Sequence, residues 1–155
     1  MSANMNIVPG DFSDPRVVDL LRAHLMMARA ASPRRSAHAL DLAGLQAPGI
    51  GLWAGWEGET LMAIGALTRL TPDHGEVKSM HTSQAVRGRG AGSAMLRHII
   101  AAARARGYCR LSLETGSMAY FHAARALYRR HGFEECAPFA GYRPDPNSVF
   151  MTLRL

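Results

Sequence analysis

The sequence predicts an α/β protein in which a mixed β-sheet carries helices on both faces. Strand-like and helix-like segments alternate in the order β-α-(α)-β-β-β-α-β-α-β-β, which is typical of this class. A glycine-rich turn also joins a predicted strand to a predicted amphipathic helix. With 155 residues, of which 48% are hydrophobic and 19% charged, the chain can bury one core and is too apolar to be disordered. We therefore expect a single domain over residues 1–155.

The first part of the chain is predicted to contain a short strand and two helices. Residues 6–9 have the pattern of a strand. Asp14 followed by Pro15 is typical of a helix start, and apolar residues recur at helical spacing to about residue 30. A second, short helix is expected around residues 38–42, within an irregular and proline-containing stretch.

The rest of the chain is predicted to contain six strands and two helices. A hairpin with a turn around Gly58 joins the first two of these strands, and a third strand leads into the glycine-rich turn. The predicted strands are residues 51–56, 61–67, 75–82, 108–114, 133–136 and 149–155. The predicted helices run from the glycine-rich turn to residue 106 and over residues 120–131.

Composition and charge narrow the classes of partner. The formal net charge is +6, and Lys78 is the single lysine beside 17 arginines, so the overall field favours an anionic partner. No apolar run approaches the length of a membrane span, and residues 1–14 do not resemble a signal peptide, so we expect a cytoplasmic protein without a membrane partner. Cys109 and Cys136 are expected to be buried free thiols, and no cysteine spacing predicts a metal site.

The glycine-rich turn has the features of a phosphate-binding site. Gly88, Gly90 and Gly92 alternate with other residues and allow close approach of the backbone to a ligand. The unpaired N–H groups at the start of the following helix attract an anion, and Arg87 and Arg89 add positive charge, so a diphosphate suits the turn. The spacing differs from that of a P-loop and of the dinucleotide-binding motif. A turn that binds no ligand is the alternative reading of these residues alone.

Two motifs in register resemble the GNAT N-acetyltransferase superfamily. The first is Arg-Gly-x-Gly-x-Gly from Arg87, and the second is the Ala-x-x-Leu-Tyr-x-x-x-Gly-Phe segment from Ala124 to Phe133. The resemblance covers residues 53–155, and segments 112–117 and 138–151 are similar to a bacterial subgroup of small, mostly uncharacterised members. It implies a GNAT-like fold with a splayed central sheet, acetyl-CoA as the co-substrate, and coenzyme A as a product.

The resemblance also implies roles for particular residues. Tyr128 matches the tyrosine that protonates the departing thiolate, and Glu76 lies where many members carry the general base. Glu114 is the rival base, and His74 and His81 are further candidates. Phe121 stands where the family commonly has an asparagine. The residues expected to bind the co-substrate lie in the predicted strand and the turn after it: Met80, His81, Thr82, Arg87, Gly88, Arg89, Gly90, Ala91, Gly92 and Ser93.

The function that these features favour is acetyl transfer from acetyl-CoA to an amine of a small molecule or peptide, by direct attack on the thioester. Two alternatives stay open: a non-catalytic module that senses acyl-CoA, and an acetyltransferase that acts on tRNA. We do not expect a nucleic-acid partner, because no dense basic stripe interleaved with aromatic residues is present. A homodimer is compatible with the resemblance. The acceptor is expected to bind residues 28–48 and 139–148, which carry no general motif.

Overall fold

The computed structural model describes residues 5–31, 42–86 and 88–155, in which seven strands form one mixed sheet. In chain order the strands are β1 (Asn6–Pro9), β2 (Gly51–Glu57), β3 (Thr60–Thr71), β4 (His74–Thr82), β5 (Arg110–Gly116), β6 (Glu134–Cys136) and β7 (Ser148–Arg154). The helices are α1 (Pro15–Ala31), α2 (Leu42–Leu45), α3 (Ala91–Ala105) and α4 (His122–Arg130). The strand order across the sheet is β1-β2-β3-β4-β5-β7-β6, with β4 and β5 parallel and the other neighbours antiparallel.

The predicted fold class is confirmed, while several element bounds differ from the prediction. The strand predicted from residue 108 begins at Arg110, because the Tyr108 N–H closes the end of α3 by donating to Ala103 O at 3.1 Å. The helix predicted from residue 120 begins at His122, since residues 119–121 form a 3₁₀ turn. Residues 38–41 of the predicted short helix lie outside the described residues, and α2 begins at the next residue, Leu42.

The cysteines correct one expectation. Cys109 is exposed and Cys136 is half-buried, so the prediction of two buried thiols is wrong. Cys109 lies in the connection before β5 rather than inside the strand, and its N–H donates to Asp73 O at 2.7 Å. This connection lies at the surface, which exposes the thiol.

The two faces of the sheet carry separate apolar cores. One core packs α3 and α4 on the sheet through buried side chains that include Val77, Met95, Ile99 and Leu113. The other packs α1 and α2 through Val17, Leu21, Leu45, Ile64 and Ala66. Each fully buried aliphatic side chain of this size contributes about 1.5–3 kcal/mol to stability. Residues that alternate along β4 therefore face either the α3–α4 side or the α1 side.

A divergence of two strands opens the sheet. β4 and β5 pair only over His74–Glu76 and Arg110–Ser112 in the described register, and their later residues separate. β4 also carries a bulge, because Ser79 and Met80 together oppose Gly65, and Ser79 has a φ of 55°. The splayed sheet implied by the family resemblance is thus present. The gap places the second half of β4 beside a cavity.

Among the described helices, none is both long and apolar enough to cross a membrane.

Candidate active site

The glycine-rich turn has a backbone that depends on glycine. Gly88 and Gly90 have φ values of 81° and 82°, in the left-handed region that other residues adopt at a cost. Gly90 is the N-cap of α3 and has no side chain with which to cap the helix. The first N–H groups of α3 therefore stay available to an anion. A Cβ on Gly92 would lie 3.0 Å from Thr82 Oγ1 and 3.3 Å from Leu127 Cδ2, so the helix start fits closely against its neighbours.

A cavity of about 290 Å³ lies between this turn, the end of β4, α4 and α1. Most of the residues predicted to bind the co-substrate line it. They are Met80, His81, Thr82, Gly88, Gly90, Ala91, Gly92 and Ser93. Tyr128 from α4 and His24 from α1 line the same cavity. The structure therefore brings together residues that the sequence separates by more than a hundred positions.

Two predicted arginines differ from this group. Arg89 is exposed and does not line the cavity, so it can contact only a ligand that extends toward solvent. Arg87 lies outside the described residues. The Ser93 hydroxyl is engaged by His131 Nε2 at 2.7 Å and accepts from Arg97 Nη1 at 3.0 Å, which leaves the Ser93 backbone N–H as its contribution to an anion site.

Tyr128 is a buried phenol at the cavity wall. Its side chain is 7% exposed and packs on Phe133, with 5.8 Å between ring centroids. Burial, followed by the charge of Glu114, raises the pKa of Tyr128 well above its usual value. The hydroxyl therefore stays protonated at any ordinary pH, which is the form that a proton donor requires.

Glu76 lies in a closed polar cluster on the α1 side of the sheet. It is 3% exposed, and the Tyr142 hydroxyl donates to its Oε2 at 2.6 Å. Lys78 Nζ lies 3.3 Å from the same oxygen and donates to the Tyr142 oxygen at 2.9 Å. The Tyr142 ring packs against the rings of Phe139 and Phe150, at centroid distances of 5.1 and 5.5 Å. Glu76 does not line the cavity.

Glu114 connects this cluster electrostatically to Tyr128. It lies on β5, is half-buried, and has a pKa raised to about 7. Burial is the largest cause, and the charges of Glu76 and Asp145 add to it. The Ser148 hydroxyl and Lys78 act in the opposite direction. Near neutral pH the carboxyl group is therefore divided between its two protonation states.

Two histidines complete the α1 side of the cavity. His24 Nδ1 lies 3.2 Å from His81 Nδ1, and the rings meet edge to face with centroids 5.1 Å apart. Burial and then the charge of His81 lower the pKa of His24 to about 4. His74, another predicted candidate, bonds to Ser112 Oγ at 2.7 Å through Nε2 and lies away from the cavity.

Sequence reasoning did not identify Tyr142 or His24 as site residues. Tyr142 lies 66 positions from Glu76, and the segment 138–151 that contains it was linked only to a subgroup of the family and not to Glu76, so the sequence did not indicate the contact. His24 carried a usable signal, because it is a polar residue among the apolar positions of α1. Lys78 and Glu76 are two residues apart on one strand, a spacing that does predict a shared face.

Comparison with known proteins identifies the family. Residues 17–133 match the acetyltransferase (GNAT) family. The chain is 50% identical to the uncharacterised N-acetyltransferase YsnE of Bacillus subtilis over 97% of this chain and 100% of YsnE. It is 47% identical to the uncharacterised N-acetyltransferase YedL of Escherichia coli, over 94% and 91% of the two chains. A Klebsiella pneumoniae structure described as an acyl-CoA N-acyltransferase has a TM-score of 0.82 and 31% identity, covering 98% of each chain.

The chain therefore belongs to the GNAT family, and it is an N-acetyltransferase. Acetyl-CoA is the co-substrate of this family. A family member from Elizabethkingia anophelis with acetyl-CoA bound shares the fold, with a TM-score of 0.73 at 17% identity over 99% of this chain and 100% of that one.

The residues present fit acetyl-CoA. The uncapped start of α3 and the two left-handed glycines suit a diphosphate. The bulged end of β4, which pairs with β3 but not with β5, offers backbone groups to an amide-containing arm. The Ser79 hydroxyl at the bulge is buried without a hydrogen-bond partner among the described residues, so this strand segment still has polar capacity.

Proposed function

We propose that this chain transfers the acetyl group of acetyl-CoA directly to the nitrogen of an amine carried by a small molecule or peptide. The observation that carries the proposal is that one cavity holds all the required features. It combines an anion-binding glycine turn, an opened strand end and the buried Tyr128 hydroxyl. The backbone of residues 88–93 would hold the diphosphate, and residues 80–82 would align the pantetheine arm.

Bound acetyl-CoA supplies an activated acyl thioester, so no covalent enzyme intermediate is needed. The chain has to supply proton transfer. A primary alkylamine has a pKa near that of lysine, about 10.4, and its deprotonation at pH 7 costs about 4.6 kcal/mol. A positioned base offsets part of that cost. The Tyr128 phenolic oxygen holds a proton that the leaving thiolate can take up.

Two carboxylates compete for the role of base. Glu76 was predicted from the sequence, but its Oε2 already accepts from Tyr142 and contacts Lys78, so this oxygen is engaged within the cluster. Glu114 has a pKa of about 7, and its charge reaches Tyr128 at the cavity wall. These features favour Glu114, acting through water, and assign Glu76 to the support of Lys78 and Tyr142.

The experiment is thiol release from acetyl-CoA with a panel of primary amines, followed by pH–rate profiles. Glu114→Gln should lose rate mainly below pH 8, with the deficit shrinking as the pH approaches the pKa of the amine. Glu76→Gln is the matched control and should keep the shape of the wild-type profile. The reverse result would return the base to Glu76. Binding of coenzyme A without turnover of any amine would instead support a sensing module.

A further inference from the structure

The end of the sheet opposite the active-site cavity carries a row of basic side chains. His74, Arg110 and Arg154 lie side by side on β4, β5 and β7, because His74 is the register partner of Arg110 and Arg110 is that of Arg154. Along β4, about 25 Å separate His74 from Thr82 at the active-site cavity. The row therefore belongs to a different part of the molecule from the candidate active site.

The three side chains of this row line a second cavity, of about 370 Å³, which we call the arginine pocket. The other residues of its lining are Thr71, Asp73, Cys109 and Leu155. The pocket thus joins the connection before β4, the start of β5 and the end of β7. None of its residues lines the active-site cavity.

Hydrogen bonds fix two of the three basic side chains. His74 Nε2 bonds to Ser112 Oγ at 2.7 Å, and this oxygen bonds to Thr152 Oγ1 at 2.9 Å. Arg110 Nη1 donates to the same Thr152 oxygen at 3.2 Å. His74 and Arg110 are therefore connected through two hydroxyl groups, and neither side chain can turn away without breaking a hydrogen bond.

The two arginines have no counter-charge among the described residues. Neither Arg110 nor Arg154 belongs to a described ion pair, although like charges directly opposite each other on neighbouring strands destabilise a sheet. The carboxylate of Asp73 in the lining accepts from the Thr71 hydroxyl at 2.8 Å. Each guanidinium has several N–H donors, of which the described hydrogen bonds use one at Arg110 and none at Arg154. An anion that accepts from both guanidinium groups would relieve the repulsion.

We propose that the arginine pocket binds a phosphate monoester, with the phosphate group held between the guanidinium groups of Arg110 and Arg154 and beside the ring of His74. The planar fork of a guanidinium group matches the oxygens of a phosphate, which favours this group over a single-point anion. A phosphate group fills only part of about 370 Å³, so the organic part of an ester also has room. This site is separate from the active site and does not depend on the proposed acetyl transfer.

The first test follows the histidine rings by ¹⁵N NMR while glycerol 3-phosphate is added to the full chain at constant ionic strength, with chloride as the balancing salt. Burial and then the charge of Arg110 lower the pKa of His74, while Asp73 and Glu76 act in the opposite direction. A bound phosphate opposes the effect of Arg110, so the pKa of His74 should rise and its signals should shift to saturation. A response at His131, beside Ser93 at the glycine-rich turn, with none at His74 would overturn the proposal.

The second test is calorimetry with variants at exposed positions. Arg110→Gln and Arg154→Gln should each lower the affinity for glycerol 3-phosphate by about tenfold or more and leave the affinity for coenzyme A unchanged. Arg22→Gln, at an exposed position on α1, removes the same charge and should keep wild-type affinity. An equal loss in Arg22→Gln would show that only the overall charge attracts the ligand, and the proposal would fail.

Two further measurements identify the chemistry of the ligand. Arg154→Lys keeps the charge and removes the fork, so its affinity for glycerol 3-phosphate should lie between those of wild type and Arg154→Gln. Glycerol 3-phosphate should bind wild type more tightly than inorganic phosphate or malonate does. Tighter binding of inorganic phosphate would replace the ester by the free ion, and equal binding of malonate would overturn the assignment to phosphate. These results are independent of whether the wild type acetylates any amine.

Discussion

The two sides of the cavity are built by different means. On the side of α3, the turn at Gly88 and Gly90 offers backbone N–H groups. Glycine is needed there because both residues have a positive φ. On the side of α1, the cavity is lined by the side chains of His24 and His81, and the Glu76 cluster beneath Tyr142 lies on the same face of the sheet but outside the cavity lining. A backbone site requires a local sequence pattern, whereas a side-chain site requires only that distant residues meet. The first side is thus suited to a co-substrate common to the family, and the second to a particular acceptor.

The largest expected effect is on kcat and concerns Tyr128, which lines the cavity between its two sides. Tyr128→Phe keeps the ring packing on Phe133 and removes the proton, so kcat should fall about 10²-fold with little loss of stability. Single-turnover kinetics and thermal unfolding measure the two quantities. Tyr108→Phe alters another buried tyrosine, which lies outside the cavity lining, and should leave kcat unchanged. A Tyr128→Phe rate within twofold of wild type, with chemistry limiting, would reduce Tyr128 to a packing residue.

The next effect concerns the side-chain half of the site. Tyr142→Phe removes the donor to Glu76 and the acceptor for Lys78 in a buried cluster, so the protein should lose about 2 kcal/mol of stability. Urea unfolding measures the loss, and Tyr108→Phe, at a buried position outside the cavity lining, is the control. Affinity for coenzyme A should not change in either variant. A loss of coenzyme A affinity in Tyr142→Phe would show that the two sides are not independent.

A smaller effect, on the affinity for coenzyme A, is expected at the glycine-rich turn. Gly90→Val forces a branched side chain into the left-handed N-cap of α3 and against the anion site, so the affinity for coenzyme A should fall at least tenfold, about 1.4 kcal/mol. Gly58→Val is the matched control, because Gly58 also has a positive φ, 60°, but lies in a distant turn. It should lose comparable stability and keep wild-type affinity. If both variants bound coenzyme A with equal affinity, the diphosphate would not bind at this turn.

The smallest effect is the pH dependence of stability at Glu114. Because the folded protein raises this pKa from 4.5 to about 7, the folded state binds the proton more tightly than the unfolded state does. This stabilisation is complete below about pH 4.5 and is lost as the pH rises through 7. Since the group is half-buried, we expect Glu114→Gln to exceed wild type by about 1 kcal/mol at pH 8 and to match it at pH 4. Urea unfolding at both pH values measures this, and a pH-independent difference would contradict the raised pKa. Glu134→Gln, at an exposed position, should follow wild type throughout.

The same contrast explains how far the sequence could predict the molecule. The glycine turn and the helix that bears Tyr128 were predictable because their signals lie within a few residues of each other. The start of β5 was not, because Tyr108 and Cys109 have a strand-like composition but the Tyr108 N–H closes the end of α3 and the Cys109 N–H donates to Asp73 O in the connection between β3 and β4. The surroundings of Glu76 were not either, since its partner Tyr142 belongs to a connection without regular structure. The raised pKa of Glu114 depends on burial, which only the assembled sheet creates.

The position of β7 in the sheet has a consequence for the order of folding. β7 lies between β5 and β6, although it follows both in the chain, and Tyr142 lies in the connection between β6 and β7. β6 therefore joins the sheet only through β7, and the docking of β7 on β5 carries Tyr142 over Glu76. Contacts between residues so distant in sequence form late, because loop closure precedes any energetic gain. The glycine turn and α3 can form early from local contacts, so in a refolding experiment we expect binding of coenzyme A to recover before the acceptor side of the site is complete.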